Sequence, residues 1–90
     1  MNAIDAVIDV LDAGDLGKLA EMIGSTLIEA EGEDGWTPLF YSVANGDIRA
    51  VKILLDAGAD RQHLDHNGWS AAMLAAFEGK TQIARMIEAA

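Results

Sequence analysis

The chain has 90 residues, enough for one small domain with a thin core, and no cysteine, which excludes disulfides and zinc–thiolate sites. Fifteen acidic residues against six basic ones give a formal net charge of −9. Repulsion from phosphate makes nucleic acid and anionic lipid poor ligands and favours a neutral or basic protein as partner, unless the acidity serves only solubility.

The chain opens with two predicted helices, over residues 6–11 and 16–23, in which apolar residues recur at helical spacing. Asp5 stands where an N-cap of the first helix is expected, because its side chain can accept from a free backbone N–H. Gly14 interrupts the apolar pattern between the two helices. The first third of the chain therefore reads as a helical pair.

A second helical pair is predicted over residues 37–44 and 47–57. Thr37 precedes Pro38, the order expected for an N-cap followed by proline at the first helical position, where the missing N–H is not needed. Gly58 follows the pair and is expected to end the second helix in the left-handed conformation.

A third pair, predicted over residues 70–77 and 81–89, repeats the second at a constant offset. The sequence Gly-Trp-Thr-Pro-Leu at 35–39 returns 33 residues later as Gly-Trp-Ser-Ala-Ala at 68–72. A period of this length indicates a repeat protein, in which each unit buries its apolar face only by stacking on its neighbours.

These repeated segments resemble the ankyrin family over nearly the whole chain. The resemblance is carried by Gly-Trp-Thr-Pro-Leu at 35–39, Gly-Asp-Ile at 46–48 and Leu-Leu-Asp-Ala-Gly-Ala-Asp at 54–60, with a weaker copy of the second segment at 14–16. It implies an all-α ankyrin-repeat solenoid of stacked helix-turn-helix units with short projecting turns. The implied domain is single, covering residues 1–90, with repeats near 1–31, 32–64 and 65–90.

The chain departs from the family pattern in the last repeat, where Ser-Ala-Ala at 70–72 replaces Thr-Pro-Leu, and at the position that follows this segment. The family usually has a histidine after Thr-Pro-Leu that joins neighbouring turns by hydrogen bonds, whereas Phe40 and Met73 stand there in this chain. We therefore expect stability to depend more on apolar packing than is usual in the family. Glu88 takes the place of Leu55 in the last repeat, which predicts a polar capping face, with a fragment of a longer array as the alternative.

The resemblance implies a non-catalytic module that binds another protein through the turn tips and the first helix of each repeat. The positions that carry this role are Glu33, Asp34, Trp36, Asn45, Leu64, His66, Asn67, Trp69, Phe77 and Glu78. We expect both tryptophans to lie outside the helical stripes that build the core and, with Leu64, to form a binding patch, because indoles are common among binding hot spots. Packing of each indole against the adjacent turn is the alternative.

We predict no catalytic residue, no cofactor and no metal site. His-Leu-Asp-His at 63–66 holds ligand types, but a structural zinc site needs four converging donors, and the acidic residues at 29–34 lack EF-hand spacing. No serine lies in a nucleophile-elbow pattern. The expected molecule is a monomer or weak homodimer. The alternatives to a protein-binding module are a self-assembling structural unit and an inhibitor that occludes an enzyme site.

A cytoplasmic location is expected. No apolar run approaches the length that crosses a bilayer, so we expect no membrane contact. The first residues also lack the positive region and long apolar stretch of a secretory signal.

Overall fold

The computed structural model describes residues 3–23 and 27–89, which form six α-helices and one short 3₁₀ helix at Leu27–Glu29. The α-helices are α1 (Ala3–Ala13), α2 (Leu16–Met22), α3 (Pro38–Asn45), α4 (Ile48–Asp56), α5 (Ala71–Phe77) and α6 (Thr81–Ala89). Within the described ranges there is no strand. The predicted helical pairs and the all-α class are confirmed.

The helices form two layers. The first helices of the pairs, α1, α3 and α5, pack side by side in that order, and the second helices α2, α4 and α6 do the same behind them. Val43, Val51 and Leu54 are fully buried between the layers, where successive pairs meet. None of the helices in the described ranges combines the length and the apolar character needed to cross a bilayer.

The first helix begins earlier than predicted, so Asp5 lies inside the first turn of α1 and is not its N-cap. The prediction that Asp5 caps this helix is wrong. Ile4 is buried in the core together with Val7, so apolar packing continues one residue ahead of Asp5 and extends the helix. An acidic side chain in the first turn is still favourable, because it faces the positive end of the helix dipole.

The predicted helix end at Gly58 is confirmed. Gly58 has a φ of +92°, in the left-handed region. Its N–H donates to the Leu55 carbonyl and the Ala59 N–H donates to the Leu54 carbonyl, both at 3.0 Å. These two bonds form a Schellman motif, which satisfies carbonyls that the helix leaves free.

The inner helices α3 and α5 begin at matching positions by different means. Thr37 is the N-cap of α3, as predicted, but its side chain makes no capping hydrogen bond, and Pro38 follows at the first helical position. In α5 the Ser70 hydroxyl accepts from the Met73 N–H at 3.2 Å. One helix start therefore depends on a preset proline φ and the other on a side-chain cap.

The two residues that replace the family histidine have different environments. Phe40 is buried in the core, with its ring edge-on to His63 at a centroid distance of 6.0 Å. Met73 is 53% exposed. Apolar packing therefore replaces the histidine in the second repeat, as expected, but not in the third.

Candidate functional site

Two projecting turns of the same construction form the base of the predicted site. In the first, the Gly32 N–H donates to the Trp36 carbonyl at 2.8 Å, and in the second the Asp65 N–H donates to the Trp69 carbonyl, also at 2.8 Å. Each turn therefore closes as a short hairpin that holds a tryptophan at its base. The 33-residue period places the two hairpins side by side.

Backbone and side-chain hydrogen bonds join the two turns. The His66 N–H donates to the Asp34 carbonyl, and His63 Nε2 donates to the Gly35 carbonyl, both at 2.9 Å. The approach is close at Gly35, where an added Cβ would stand 2.6 Å from His66 Cδ2. A histidine does join neighbouring turns here, but it is His63, and not a residue after the Thr-Pro-Leu segment.

Trp36 is half-buried and is held on both its polar and its apolar side. Its indole Nε1 donates to Asp65 Oδ2 at 3.0 Å. The ring stacks on Phe40 at 5.9 Å and meets Tyr41 edge-on at 5.3 Å, packed against the core. Trp36 precedes α3 and is not part of the buried core, but it packs against that core and against the next turn, where the hydrogen bond to Asp65 holds it beside Phe40.

Trp69 is also half-buried, but its ring packs against a surface residue. The ring meets Phe77 edge-on at a centroid distance of 5.1 Å. Phe77 itself is 76% exposed, more than any other large apolar side chain in the described ranges. Trp69 and Phe77 thus form an aromatic pair in which the described chain leaves the Phe77 ring largely uncovered.

A groove of about 300 Å³ lies between the two turns and α5, and we call it the aromatic groove. Its lining residues are Asp34, Trp36, Asp65, Asn67, Trp69, Leu74 and Phe77. Sequence reasoning named all but Asp65 and Leu74. Asp65 opens an Asp-x-x-Gly turn, a recognisable signature, and Leu74 stands one helical turn before Phe77, so local signals for both were present.

The Asp65 carboxylate organises the second turn. Its Oδ1 accepts from the N–H groups of Trp69 and Asn67, both at 2.9 Å, and its Oδ2 accepts from Trp36. The Trp69 N–H is the main cause that holds the pKa of Asp65 below its usual value, with burial opposing and the Trp36 and Asn67 bonds adding to the decrease. Asp65 therefore stays anionic at neutral pH and serves as a structural acceptor.

A second concavity of about 270 Å³ shares Asp34 with the aromatic groove, and we call it the acidic cavity. It is lined by Ile4, Asp5, Ile8, Gly32, Glu33, Asp34 and Tyr41. Burial raises the pKa of the Tyr41 hydroxyl, and the negative charges of Asp34, Glu33 and Asp5 raise it further. Glu33, a predicted site residue, belongs to this cavity.

Two other predicted residues, Leu64 and His66, lie in the second turn region but outside the lining of the aromatic groove. The Leu64 side chain is 54% exposed. His66 is exposed too, with Nε2 at 3.9 Å from Glu31 Oε1. Both extend the surface beside the groove without contributing to its walls.

The remaining two predicted residues, Asn45 and Glu78, do not line the groove either. Asn45 Nδ2 donates to Asp12 Oδ1 at 3.1 Å, which joins α3 to α1. Glu78 Oε1 accepts from Lys80 Nζ at 2.7 Å, and the same ammonium donates to carbonyls at the end of α3. Both side chains already have partners that link neighbouring repeats.

A family model of ankyrin repeats, with three copies, matches residues 10–88. Over 79 residues the chain is 33% identical to an NAD-capped RNA hydrolase from Homo sapiens, which covers 86% of this chain and 17% of the hydrolase. It is 39% identical over 56 residues to the Notch-regulated ankyrin repeat-containing protein B of Danio rerio, covering 62% of this chain and 50% of that protein. It is also 31% identical over 69 residues to the ankyrin repeat protein nuc-2 of Neurospora crassa, covering 77% and 6%.

The chain spans half or less of the length of each of these relatives. The stretch shared with the hydrolase is a sixth of that protein and lies in its ankyrin region, so the match assigns no catalytic activity to this chain. What is common to all comparisons is the repeat itself, which agrees with the paired helices and hydrogen-bonded turns. The chain belongs to the ankyrin-repeat family.

Proposed function

We propose that this protein is a non-catalytic recognition module that binds another protein through the aromatic groove. Ankyrin repeats generally mediate protein–protein contacts, which gives the class of function. The observation that carries the choice of surface is the exposure of Phe77 beside Trp69. Exposure of a phenyl ring to water beside an indole is unfavourable in free energy, and a partner that covers both rings would remove that apolar surface from water.

The construction of the groove favours tight recognition. The turns that carry Trp36 and Trp69 are joined to each other through His66, His63 and the Asp65 carboxylate. Because these groups are held before a partner arrives, little conformational entropy remains to be lost on binding. Aromatic anchors in a preorganised groove are typical of binding hot spots.

The charge of the protein bears on the charge of the partner. A net charge of −9 favours a protein with a basic or neutral patch. Long-range attraction would raise the rate of association more than the affinity, and this rate would fall as salt is added.

A cytoplasmic location remains part of the proposal and is checked by cell fractionation.

Self-assembly through the same aromatic surface is the second candidate, because exposed Phe77 would also be covered by another copy of the chain. Sedimentation velocity over a hundredfold range of protein concentration separates the two. A constant sedimentation coefficient favours recognition of a different protein. An increase that Phe77→Ala abolishes favours self-assembly.

The binding proposal is tested with the native protein and two variants. Phe77→Ala removes the exposed ring of the groove, whereas Ile48→Ala removes an exposed apolar side chain, 38% exposed, from α4 and outside the groove. Proteins captured by the native chain are identified, and the affinity of the strongest is measured by calorimetry. We expect Phe77→Ala to weaken binding about tenfold, as for a hot spot of moderate strength, and Ile48→Ala to leave it unchanged. Equal affinities for all three proteins would contradict the aromatic groove as the binding surface.

A further inference from the structure

The aromatic groove and the acidic cavity are neighbours that differ in chemistry. Asp34 lines both, so the two concavities meet at one side chain. On one side of Asp34 lie the rings of Trp69 and Phe77, and on the other lie Glu33 and Tyr41. A segment of chain that crosses the turns therefore meets an apolar environment and an anionic one in succession.

Two of the polar residues that line the aromatic groove are already hydrogen-bonded within the protein. The Trp36 indole N–H is already donated to Asp65, and both Asp65 oxygens already accept hydrogen bonds. Beside the polar side chains of Asp34 and Asn67, the groove offers a ligand the ring surfaces of Trp69 and Phe77 together with Leu74. A volume of about 300 Å³ with this lining fits one large apolar side chain.

The acidic cavity, in contrast, is lined by carboxylates for which residues 3–23 and 27–89 supply no ion-pair partner. In the part of the chain that the structure describes, the carboxylates of Asp5, Glu33 and Asp34 form no ion pair within 4 Å. Three of the six basic side chains have partners elsewhere: Lys52 pairs with Asp56, Lys80 contacts Glu78 and carbonyls of α3, and Arg61 donates to carbonyls at the end of α6. Three converging negative charges beside an apolar groove are complementary to a cation next to an apolar side chain.

We propose that the aromatic groove binds a partner segment in which a leucine or phenylalanine stands close to an arginine or lysine. The apolar side chain enters the groove between Trp69 and Phe77, and the basic side chain enters the acidic cavity beside Asp34. This inference rests on the proposed function and names the chemistry of the partner. Because the two concavities share Asp34, the two residues must lie near each other, and in an extended segment the nearest side chains on the same side are two positions, about 7 Å, apart.

The proposal is tested with four synthetic peptides and the native protein. The reference peptide has Arg and Leu two positions apart in a Gly-Ser background, and its variants replace Arg by citrulline, Arg by Lys, or Leu by Ala. Citrulline keeps the shape of arginine and removes the charge. We expect the citrulline peptide to bind about three- to tenfold more weakly than the reference, Lys to retain binding, and Ala to abolish it.

Two protein variants identify the two concavities. Asp34→Asn removes the charge that the concavities share, and Phe77→Ala removes the ring of the groove, while thermal unfolding checks that both remain folded. With Asp34→Asn, the preference for the reference peptide over the citrulline peptide should decrease without vanishing, because Asp5 and Glu33 also line the acidic cavity. With Phe77→Ala, the reference peptide should lose its preference over the Ala peptide.

The outcomes separate this inference from the proposed function. If the captured protein requires Phe77 for binding but the reference and citrulline peptides bind the native protein equally, the proposed recognition of a basic side chain is wrong and the groove remains the proposed binding surface. If neither Phe77→Ala nor Asp34→Asn changes any binding, both proposals are overturned. A smaller preference for Arg over citrulline in Asp34→Asn, with no such change in Phe77→Ala, supports the inference.

Discussion

The Trp36 indole N–H donates to the Asp65 carboxylate at 3.0 Å, across 29 positions of the chain. This bond joins the first turn to the second and fixes one wall of the aromatic groove. Since Asp65 also accepts the Trp69 N–H, a single carboxylate holds both tryptophan segments. The aromatic groove and the contact between the two turns therefore depend on the same residue.

Trp36 should contribute more to folding than its turn position suggests. Trp36→Phe keeps a ring over Phe40 but removes the donor to Asp65, and we expect a loss of about 1 kcal/mol in the free energy of unfolding. Trp36→Ala also removes ring packing from a half-buried site, and we expect about 2–3 kcal/mol. Urea unfolding measures both. A loss below about 0.5 kcal/mol in Trp36→Ala would be the behaviour of a surface residue and would contradict this prediction.

Asp65 should make stability fall in acid. The pKa of Asp65 is lowered in the folded state, chiefly by the Trp69 N–H, so the ionised form is favoured by folding. The stabilisation that Asp65 contributes is fully present above its pKa in the unfolded state, about 4, and is lost as the pH falls through its lower pKa in the folded state. Asp65→Asn should therefore be less stable at neutral pH and should lose less stability on acidification than the native protein. Chemical unfolding between pH 7 and pH 2 measures the free energy of unfolding of both proteins. An equal loss of this free energy on acidification in the two proteins would contradict the prediction.

Lys80 should stabilise the packing of the third repeat on the second. Its ammonium donates to the carbonyls of Val43 and Ala44, both at 2.9 Å, at the negative end of α3. Lys80→Met keeps the side-chain length and should cost about 1–2 kcal/mol in the free energy of unfolding. The matched control is Lys52→Met, because Lys52 forms an exposed pair with Asp56 at 3.3 Å and should cost under about 0.5 kcal/mol. Equal effects of the two substitutions in urea unfolding would show that Lys80 does not join the repeats.

Two glycines should respond in opposite directions to the same substitution. Gly58 has a φ of +92° with open space around it, so Gly58→Ala meets no clash but strains the backbone, and we expect a loss of about 1 kcal/mol. Gly17 lies inside α2, where an added Cβ would meet only Asp15 Oδ1 at 3.8 Å. Gly17→Ala should stabilise the protein by about 0.5 kcal/mol. Thermal unfolding shows whether each variant is more or less stable than the native protein. A higher stability of Gly58→Ala would contradict the left-handed conformation at this helix end.

The sequence by itself determined the helices and the repeat. Apolar spacing, the Thr37–Pro38 start and the Gly58 end are local signals, because capping and helical periodicity involve residues within four positions of each other. The period of 33 then determined the fold class, since a helix pair that cannot bury its apolar face alone must stack. The one local assignment that failed, Asp5 as an N-cap, failed because Ile4 is buried in a core to which other helices contribute.

Only the tertiary structure decided how the turns meet. Trp36 is held down on Phe40 because Asp65 reaches it from the next repeat, while Trp69 packs on Phe77 at the surface, although the two tryptophans occupy the same place in the repeat. The acidic cavity likewise depends on α1 approaching the first turn, so that Asp5 joins Asp34. The contact of Trp36 with Asp65 and the approach of Asp5 to Asp34 each join residues 29 positions apart. Whether a side chain is covered depends on which neighbouring repeat stacks against it, and no local pattern in the sequence specifies that.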